Sequence, residues 1–127
     1  MNIINLLLES DPDILEQNMS KDIEITRLSA LFGQPFILTC LPLSQSQIQY
    51  ISEVAKDHHT QKLYAVLEAT KLDNKKFSDP IFREKFAVNK NLDVIEKLFL
   101  AGEIQAIYNE IQVISGFTVD AVREIKN

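Results

Sequence analysis

The strongest pattern in the sequence is the stretch IQAIYNEIQVI, residues 104–114. Its large apolar side chains recur at helical spacing: Ile104, Ile107, Tyr108, Ile111 and Ile114. Because an α-helix turns once every 3.6 residues, this spacing places them on one continuous face. The pattern predicts a long helix packed against the core. Gly116 follows its end, where a left-handed residue commonly closes a helix.

Further helix-start signals occur between residue 44 and this stretch. Ser44 and Gln47 have the spacing of a capping box. Asp79 and Pro80 combine an N-cap residue with proline at the first helical position, where the missing amide costs nothing. Additional N-caps are predicted at Thr60, Asn91 and Thr118. The helix that begins at Thr118 would turn Val119, Val122 and Ile125 inward. About five helices are therefore expected after residue 44.

Two segments before residue 44 have the character of strands. Residues 22–28 (DIEITRL) alternate polar and apolar side chains, the period-2 pattern of a half-buried strand. Residues 36–41 (FILTCL) form a second apolar run between two prolines, and residues 29–34 are predicted to be the turn that joins the two strands as a hairpin. Because an isolated hairpin is marginal in water, helices must cover one face. The predicted fold class is α+β: a mainly helical single domain, residues 1–127, with one small β-hairpin near the N-terminus.

Residues 1–21 are predicted to be a short helix followed by a mobile, polar segment. Within 2–9, Ile4, Leu7 and Leu8 form one apolar stripe at helical spacing, and Pro12 marks the break after it. This stripe is the one apolar face that the predicted core does not use. The three residues are therefore predicted to bind a partner; the alternative is that they dock on the body of the protein.

Composition argues against several classes of function. The net charge is −5, with 13 basic and 18 acidic side chains, whereas nucleic-acid binding needs clustered cations that displace counterions. The single cysteine cannot form an intramolecular disulfide, and the N-terminus lacks the basic region of a signal peptide. No run of about 18 apolar residues is present to span a membrane. These features predict a cytoplasmic protein that binds neither nucleic acid nor membrane.

The sequence shows no pattern of catalytic, cofactor-binding or metal-binding residues. His58 and His59 are adjacent, so on a helix they point about 100° apart and cannot ligate one ion as an i, i+4 pair would. Cys40 lies in an apolar strand run, where a free thiol is usually a small buried hydrophobe. The three glycines are isolated and form no phosphate-binding loop. We therefore predict that the protein is not an enzyme and uses no cofactor.

One basic stretch leaves a nucleic-acid alternative open. Its cations are Lys71, Lys75, Lys76, Arg83, Lys85 and Lys90. They are interleaved with Phe77, Phe82 and Phe86, which could stack on bases. Interspersed carboxylates dilute the charge, and the phenylalanines have the spacing of helix core. The core interpretation is the favoured one.

Several segments together resemble a known family. They are residues 23–29 (IEITRLS), 33–36 (GQPF), a helix that begins at Ser44, 82–86 (FREKF), 97–104 (KLFLAGEI), 108–111 (YNEI) and 115–117 (SGF). In this order and spacing, and with the short apolar N-terminus, they resemble the XkdN-like tail assembly chaperones of long-tailed phages and defective prophages, over residues 2–126. Ala101 departs from the pattern, which has proline before the Gly-Glu pair; proline there would only stiffen the entry to the helix.

The resemblance implies a non-enzymatic role in phage tail assembly in the cytoplasm of the bacterial host. Its implied partner is the tape measure protein, held soluble while tail tube subunits polymerise around it, with the major tail tube protein and a second copy of the chain as further candidates. A structural tail or neck component of the virion is the main alternative. A helix-turn-helix regulator and an uncharacterised enzyme are disfavoured by the charge and by the missing polar pocket.

Overall fold

Helices make up most of the structure, a computed structural model that describes residues 2–15 and 19–126. The helices within those ranges are α1 (Ile3–Glu9), α2 (Pro12–Leu15), α3 (Thr26–Phe32), α4 (Gln45–Val54), α5 (His58–Ala69), α6 (Pro80–Phe86), α7 (Asn91–Leu98) and α8 (Ala101–Ile114). The strands are β1 (Lys21–Glu24), β2 (Ile37–Cys40) and β3 (Thr70–Leu72). The predicted class, α+β and mainly helical, is confirmed.

The three strands form one antiparallel sheet in the order β1-β2-β3. β1 pairs with β2 in a register that places Ile23 opposite Leu38, so the predicted pairing of the two segments is confirmed. β3 pairs with the other side of β2, with Leu72 opposite the same Leu38. This third strand was not predicted. It follows α5 directly, and its pairing partner lies thirty residues or so away, so no local pattern reveals it.

The first predicted strand is too long, and the turn after it is wrong. The strand ends at Glu24, and residues 26–32 form α3 instead of a strand end and a turn. Ile25 and Leu28 are both buried, and their separation of three residues places them on one face of a helix. Residues 22–28 therefore fit the helical period as well as the alternating pattern of a strand. Gly33 closes α3 in the left-handed conformation (φ 69°), with its N–H donating to the carbonyl of Ser29. A helix therefore connects β1 to β2.

The capping chemistry read from the sequence is partly confirmed. Ser44 and Gln47 form the predicted capping box of α4, and Asp79 caps α6 with Pro80 at the first position. Two caps lie elsewhere. Asp57, not Thr60, caps α5, because its carboxylate accepts the N–H of Thr60 at 2.8 Å. The N-cap of α7 is Lys90, and Asn91 is the first helical residue.

The core lies where α5 packs against α7 and α8, beneath the sheet. The face predicted from residues 104–114 supplies Ile107 and Ile111, both fully buried. α5 contributes Leu63, Val66 and Leu67, as predicted, and Leu38 and Cys40 of β2 close the core from the sheet side. Thr70 is also buried, and its hydroxyl donates to the carbonyl of Val66 at 2.6 Å.

The predicted last helix is wrong. Residues 117–126 contain turns and bends but no helix. Val119, Val122 and Ile125, which were expected to face inward, expose 102%, 85% and 76% of their surface. A helix of this length is marginal in water unless its apolar face is covered, and none of the described elements covers these side chains.

The segment predicted to be mobile, residues 10–21, contains regular structure at both ends. α1 ends at Glu9 as expected, but Pro12 then begins the short helix α2, and β1 begins at Lys21. Proline suits the first position of a helix because its missing N–H is not needed there. Residues 16–18, in the middle of the predicted segment, lie outside the described residues.

Candidate partner-binding surfaces

Helix α1 presents the apolar stripe predicted from the sequence. Ile4, Leu7 and Leu8 expose 62%, 54% and 76% of their surface, and no residue of α1 is buried. Docking on the body, the alternative considered above, would have buried these side chains. The stripe is therefore accessible to a partner.

Polar groups at both ends define where α1 begins and stops. The side chain of Asn2 accepts the N–H of Asn5 at 2.9 Å, and the hydroxyl of Ser10 donates to the carbonyl of Leu6 at 2.6 Å. With 7 residues, α1 is well below the roughly 12–15 residues at which an isolated helix becomes stable in water. A surface that covers its apolar face would therefore stabilise it.

Two further groups of exposed apolar side chains were not recognised from the sequence. The C-terminal segment, residues 117–126, exposes Phe117 as well as the three residues it was expected to bury. At the end of α3, Phe32 is 60% exposed and stacks on Phe36, with ring centroids 6.2 Å apart. Both segments have ordinary amphipathic patterns, so only the tertiary structure reveals that their apolar sides face solvent.

An ion pair joins two of the segments that carry the family resemblance. The Arg27 guanidinium donates to both carboxylate oxygens of Glu103, at 3.0 and 2.9 Å, and also to the carbonyl of Leu98 at 2.9 Å. Glu103 in turn accepts the N–H of Leu100 at 2.8 Å and so caps the start of α8. The hydrogen bonds from Arg27 hold the pKa of Glu103 below its ordinary value of 4.5. This arrangement fixes α3 against the beginning of α8.

The cysteine and histidine that could in principle be catalytic or bind a metal are packed against other residues of the fold. Cys40 is fully buried, and desolvation raises the pKa of its thiol to about 11, which disfavours the reactive thiolate. His58 begins α5 and packs edge-on against Tyr108, with ring centroids 5.6 Å apart. Across residues 2–15 and 19–126, no three His, Cys, Asp or Glu side chains are grouped so that they could hold a metal ion.

The phenylalanines of the basic stretch belong to the core, as the favoured interpretation predicts. Phe77 is fully buried and contacts Phe82 and Phe99, at centroid distances of 5.0 and 5.8 Å. Phe82 and Phe86 pack partly buried against the same core. Phe77 is therefore not available to stack on bases, and Phe82 and Phe86 are only partly exposed. Two of the lysines are also engaged locally: Lys75 pairs with Asp79, and Lys76 donates to the carbonyl of Glu68.

A comparison with known protein families identifies the family of this chain. The sequence profile of the phage XkdN-like tail assembly chaperone proteins matches residues 4–126. The chain belongs to this family. No curated protein and no solved structure shows significant similarity to it. The family assignment gives the chain a role in phage tail assembly together with other tail proteins.

The family match spans almost all of the described residues. The match includes the segments of Arg27 and Glu103, whose ion pair ties α3 to α8. Within the described part of the chain, none of the helices is both long and apolar enough to cross a membrane. The exposed apolar side chains described above lie on α1, at the end of α3 and on the C-terminal segment of this chaperone-family member.

The ion pair predicts a loss of stability in acid. Because the pKa of Glu103 is lower in the folded protein than its ordinary value of 4.5, the stabilisation is present above that value. It is lost as the pH falls below 4.5 and through the folded pKa. We expect Glu103→Gln to lower the free energy of unfolding at pH 7 by about 1 kcal/mol, since the pair is partly exposed and screened.

Urea unfolding at pH 7 and at a series of pH values below 4.5 checks this prediction. The difference in unfolding free energy between wild type and Glu103→Gln should narrow as the pH falls through the folded pKa of Glu103, because the wild-type carboxylate then also becomes neutral. Glu96→Gln is the matched control, because Glu96 is exposed on α7 and has no salt bridge within the described residues. If the difference in unfolding free energy between wild type and Glu103→Gln does not change with pH, the charge of Glu103 does not stabilise the fold.

Proposed function

We propose that this protein is a non-enzymatic tail assembly chaperone that binds the tape measure protein in the cytoplasm of the bacterial host. It keeps that client soluble while tail tube subunits polymerise around it. Family membership supports the class of function, and the resemblance described above supplies the client. The contact itself is assigned to α1.

The exposed stripe of α1 is the observation that carries this proposal. All five apolar residues of α1 expose between 47% and 76% of their surface: Ile3, Ile4, Leu6, Leu7 and Leu8. An amphipathic helix on the surface of a soluble protein normally covers its apolar side with a partner. Since the helix is too short to be stable alone, contact with a helical client would stabilise α1 and bury its leucines in one step.

The charge around the stripe fits reversible binding. Glu9, Asp11 and Asp13 follow the stripe within a few residues, and the chain as a whole has a net charge of −5. An apolar stripe bordered by carboxylates can hold an apolar helix without drawing the chaperone into self-aggregation. The same net charge argues against nucleic acid as the partner.

Co-expression with the tape measure protein of the same phage tests the proposal. Wild type should keep the client in the soluble fraction, and the double variant Leu7→Ser, Leu8→Ser should lose most of this ability. Burying two such leucines contributes roughly 3 kcal/mol, so affinity should fall about a hundredfold. Circular dichroism should show the double variant still folded, because neither leucine is buried in the body.

Val119→Ser, Val122→Ser is the matched control, since it removes two exposed apolar side chains from the other end of the chain. The control should still solubilise the client. A folded Leu7, Leu8 variant that also solubilises it would remove α1 as the binding site. If wild type fails at every ratio of the two proteins and is instead found in purified virions, the structural-component alternative replaces the chaperone function.

A further inference from the structure

The free edge of the sheet at β1 is a second surface with the geometry of a binding site. Within residues 2–15 and 19–126, β1 has no strand on its outer side, because the order of the sheet is β1-β2-β3. Lys21, Asp22 and Glu24 are exposed and Ile23 is half-buried. The opposite edge is partly closed: Leu72 of β3 and Lys75 exchange backbone hydrogen bonds of 2.9 Å. β1 is therefore the more open edge among the described residues.

The register determines which backbone groups face outward. Ile25 donates its N–H to the carbonyl of Phe36, so the residues that bond to β2 alternate from there: Ile25, Ile23 and Lys21. The N–H and C=O groups of Asp22 and Glu24 consequently point away from β2. Residues 22 and 24 present the donors and acceptors with which an additional strand pairs.

A groove runs beside this edge, between β1 and α8. Ile23 and Ile25 line one side, and Ala106 and Ile107 of α8 form its floor, with a cavity volume of about 330 Å³. Glu103 and Glu110 of α8 also line it, and each is paired with a cation of the chain, Arg27 and Lys21. Gly102 lies at one end, where an added Cβ would meet no atom within 4 Å. Ile23 faces this groove, because its neighbour Leu38 across the ladder points into the core on the same side. An added strand would place alternate side chains in the groove.

The outer face of the same edge is acidic. Asp22 and Glu24 are both exposed and alternate with Ile23, and neither takes part in a salt bridge within the described residues. The carboxylate of Asp22 accepts the hydroxyl of Thr39 on β2 at 2.7 Å. A second copy of β1 fits this edge poorly. Self-pairing through residues 22 and 24 would place Asp22 or Glu24 opposite an Asp22 or Glu24 of the other copy, and like charges directly opposite each other destabilise a sheet.

We propose that the β1 edge binds an extended protein segment in which apolar and basic residues alternate. The segment adds a fourth strand to the sheet by backbone hydrogen bonds to residues 22 and 24. Its apolar residues enter the groove over Ala106 and Ile107, and its lysines or arginines lie opposite Asp22 and Glu24. This site is separate from α1 and takes an extended partner, not a helical one.

A peptide of alternating valine and lysine, (Val-Lys)₃, is the probe for this site. We expect it to bind the full chain about tenfold more tightly than (Val-Glu)₃ or a peptide of three valines followed by three lysines. The peptide of three valines followed by three lysines has the same charge as (Val-Lys)₃, but its apolar and basic residues do not alternate. N-methylation of the backbone should abolish binding, and amide chemical shifts of Asp22 and Glu24 should move on titration.

Two protein variants complete the experiment. Ala106→Tyr fills the groove from an exposed helical position and should weaken binding about tenfold, whereas Ala101→Tyr, an exposed position about 140° around α8 from Ala106, should not. Asp22→Lys, Glu24→Lys should reverse the preference toward (Val-Glu)₃. Equal binding of the N-methylated probe, or shifts confined to other residues, would overturn the proposal. A dimer of the chain that Ala106→Tyr dissociates would assign the edge to a second copy and also overturn it. None of these readouts involves the client solubility that tests α1.

Discussion

Ile107→Asp and Ile111→Asp are expected to unfold the protein. Both side chains are fully buried on α8 where it packs against α5. An aspartate at either position would place an unpaired carboxylate in the core or force the helix away from it. The cost is about 4 kcal/mol or more, against a total stability of roughly 5–15 kcal/mol for a domain of this kind.

Thermal unfolding followed by circular dichroism measures the effect. A loss of about 4 kcal/mol corresponds to a decrease in Tm of about 15 °C for a chain of this length. Val113→Asp is the control on the same helix, because Val113 is 50% exposed and its replacement should cost less than about 1 kcal/mol. If Ile107→Asp melts together with Val113→Asp, α8 is not the centre of the core.

Features determined by neighbouring residues could be predicted from the sequence. The capping box at Ser44 and the Asp79-Pro80 pair each place a helix start through hydrogen bonds that span only a few residues. The face from Ile104 to Ile114 is long enough that only a helix fits its period. The stripe of Ile4, Leu7 and Leu8 was likewise predicted to be a helix, and its exposure agrees with its lack of a core partner.

Features determined by distant residues could not be predicted. The apolar residues of 22–28 fit the period of a strand and also that of a helix. The strand stops at Glu24 because Ile25 and Leu28 are both buried in the core as α3 begins. β3 exists because Thr70 to Leu72 lie beside β2 once α5 has packed. The pattern Val119, Val122, Ile125 was read as an inward face, yet no described element covers it.

Of the two candidate binding surfaces, α1 could be predicted from the sequence and the β1 edge could not. A short apolar helix before a proline can be recognised as an unassigned face from the sequence alone. The β1 edge cannot, because it depends on the order of strands in the sheet and on the position of α8 beneath them. Asp22 and Glu24 look like ordinary polar positions of a strand until the register shows that their backbone groups face outward.

Phe77→Ala is expected to produce the second large effect, a loss of about 3–5 kcal/mol and a decrease in Tm of roughly 10–20 °C. The ring is fully buried and lies between Phe82 and Phe99, so its removal leaves a cavity that the neighbouring rings cannot fill. Phe32→Ala is the matched control: the same atoms are removed, but from a ring that is 60% exposed, and the loss should stay near 1 kcal/mol.

This comparison also decides between the two interpretations of the basic stretch. If Phe77 is a core residue, urea unfolding shows a lower midpoint for Phe77→Ala, while Phe77→Leu loses much less because leucine fills most of the space. If the ring were held for stacking on nucleic-acid bases, Phe77→Ala would melt like Phe32→Ala and the loss would appear in binding. The T-shaped contact with Phe99 and the complete burial of the ring favour the first outcome, because a stacking platform must expose its face.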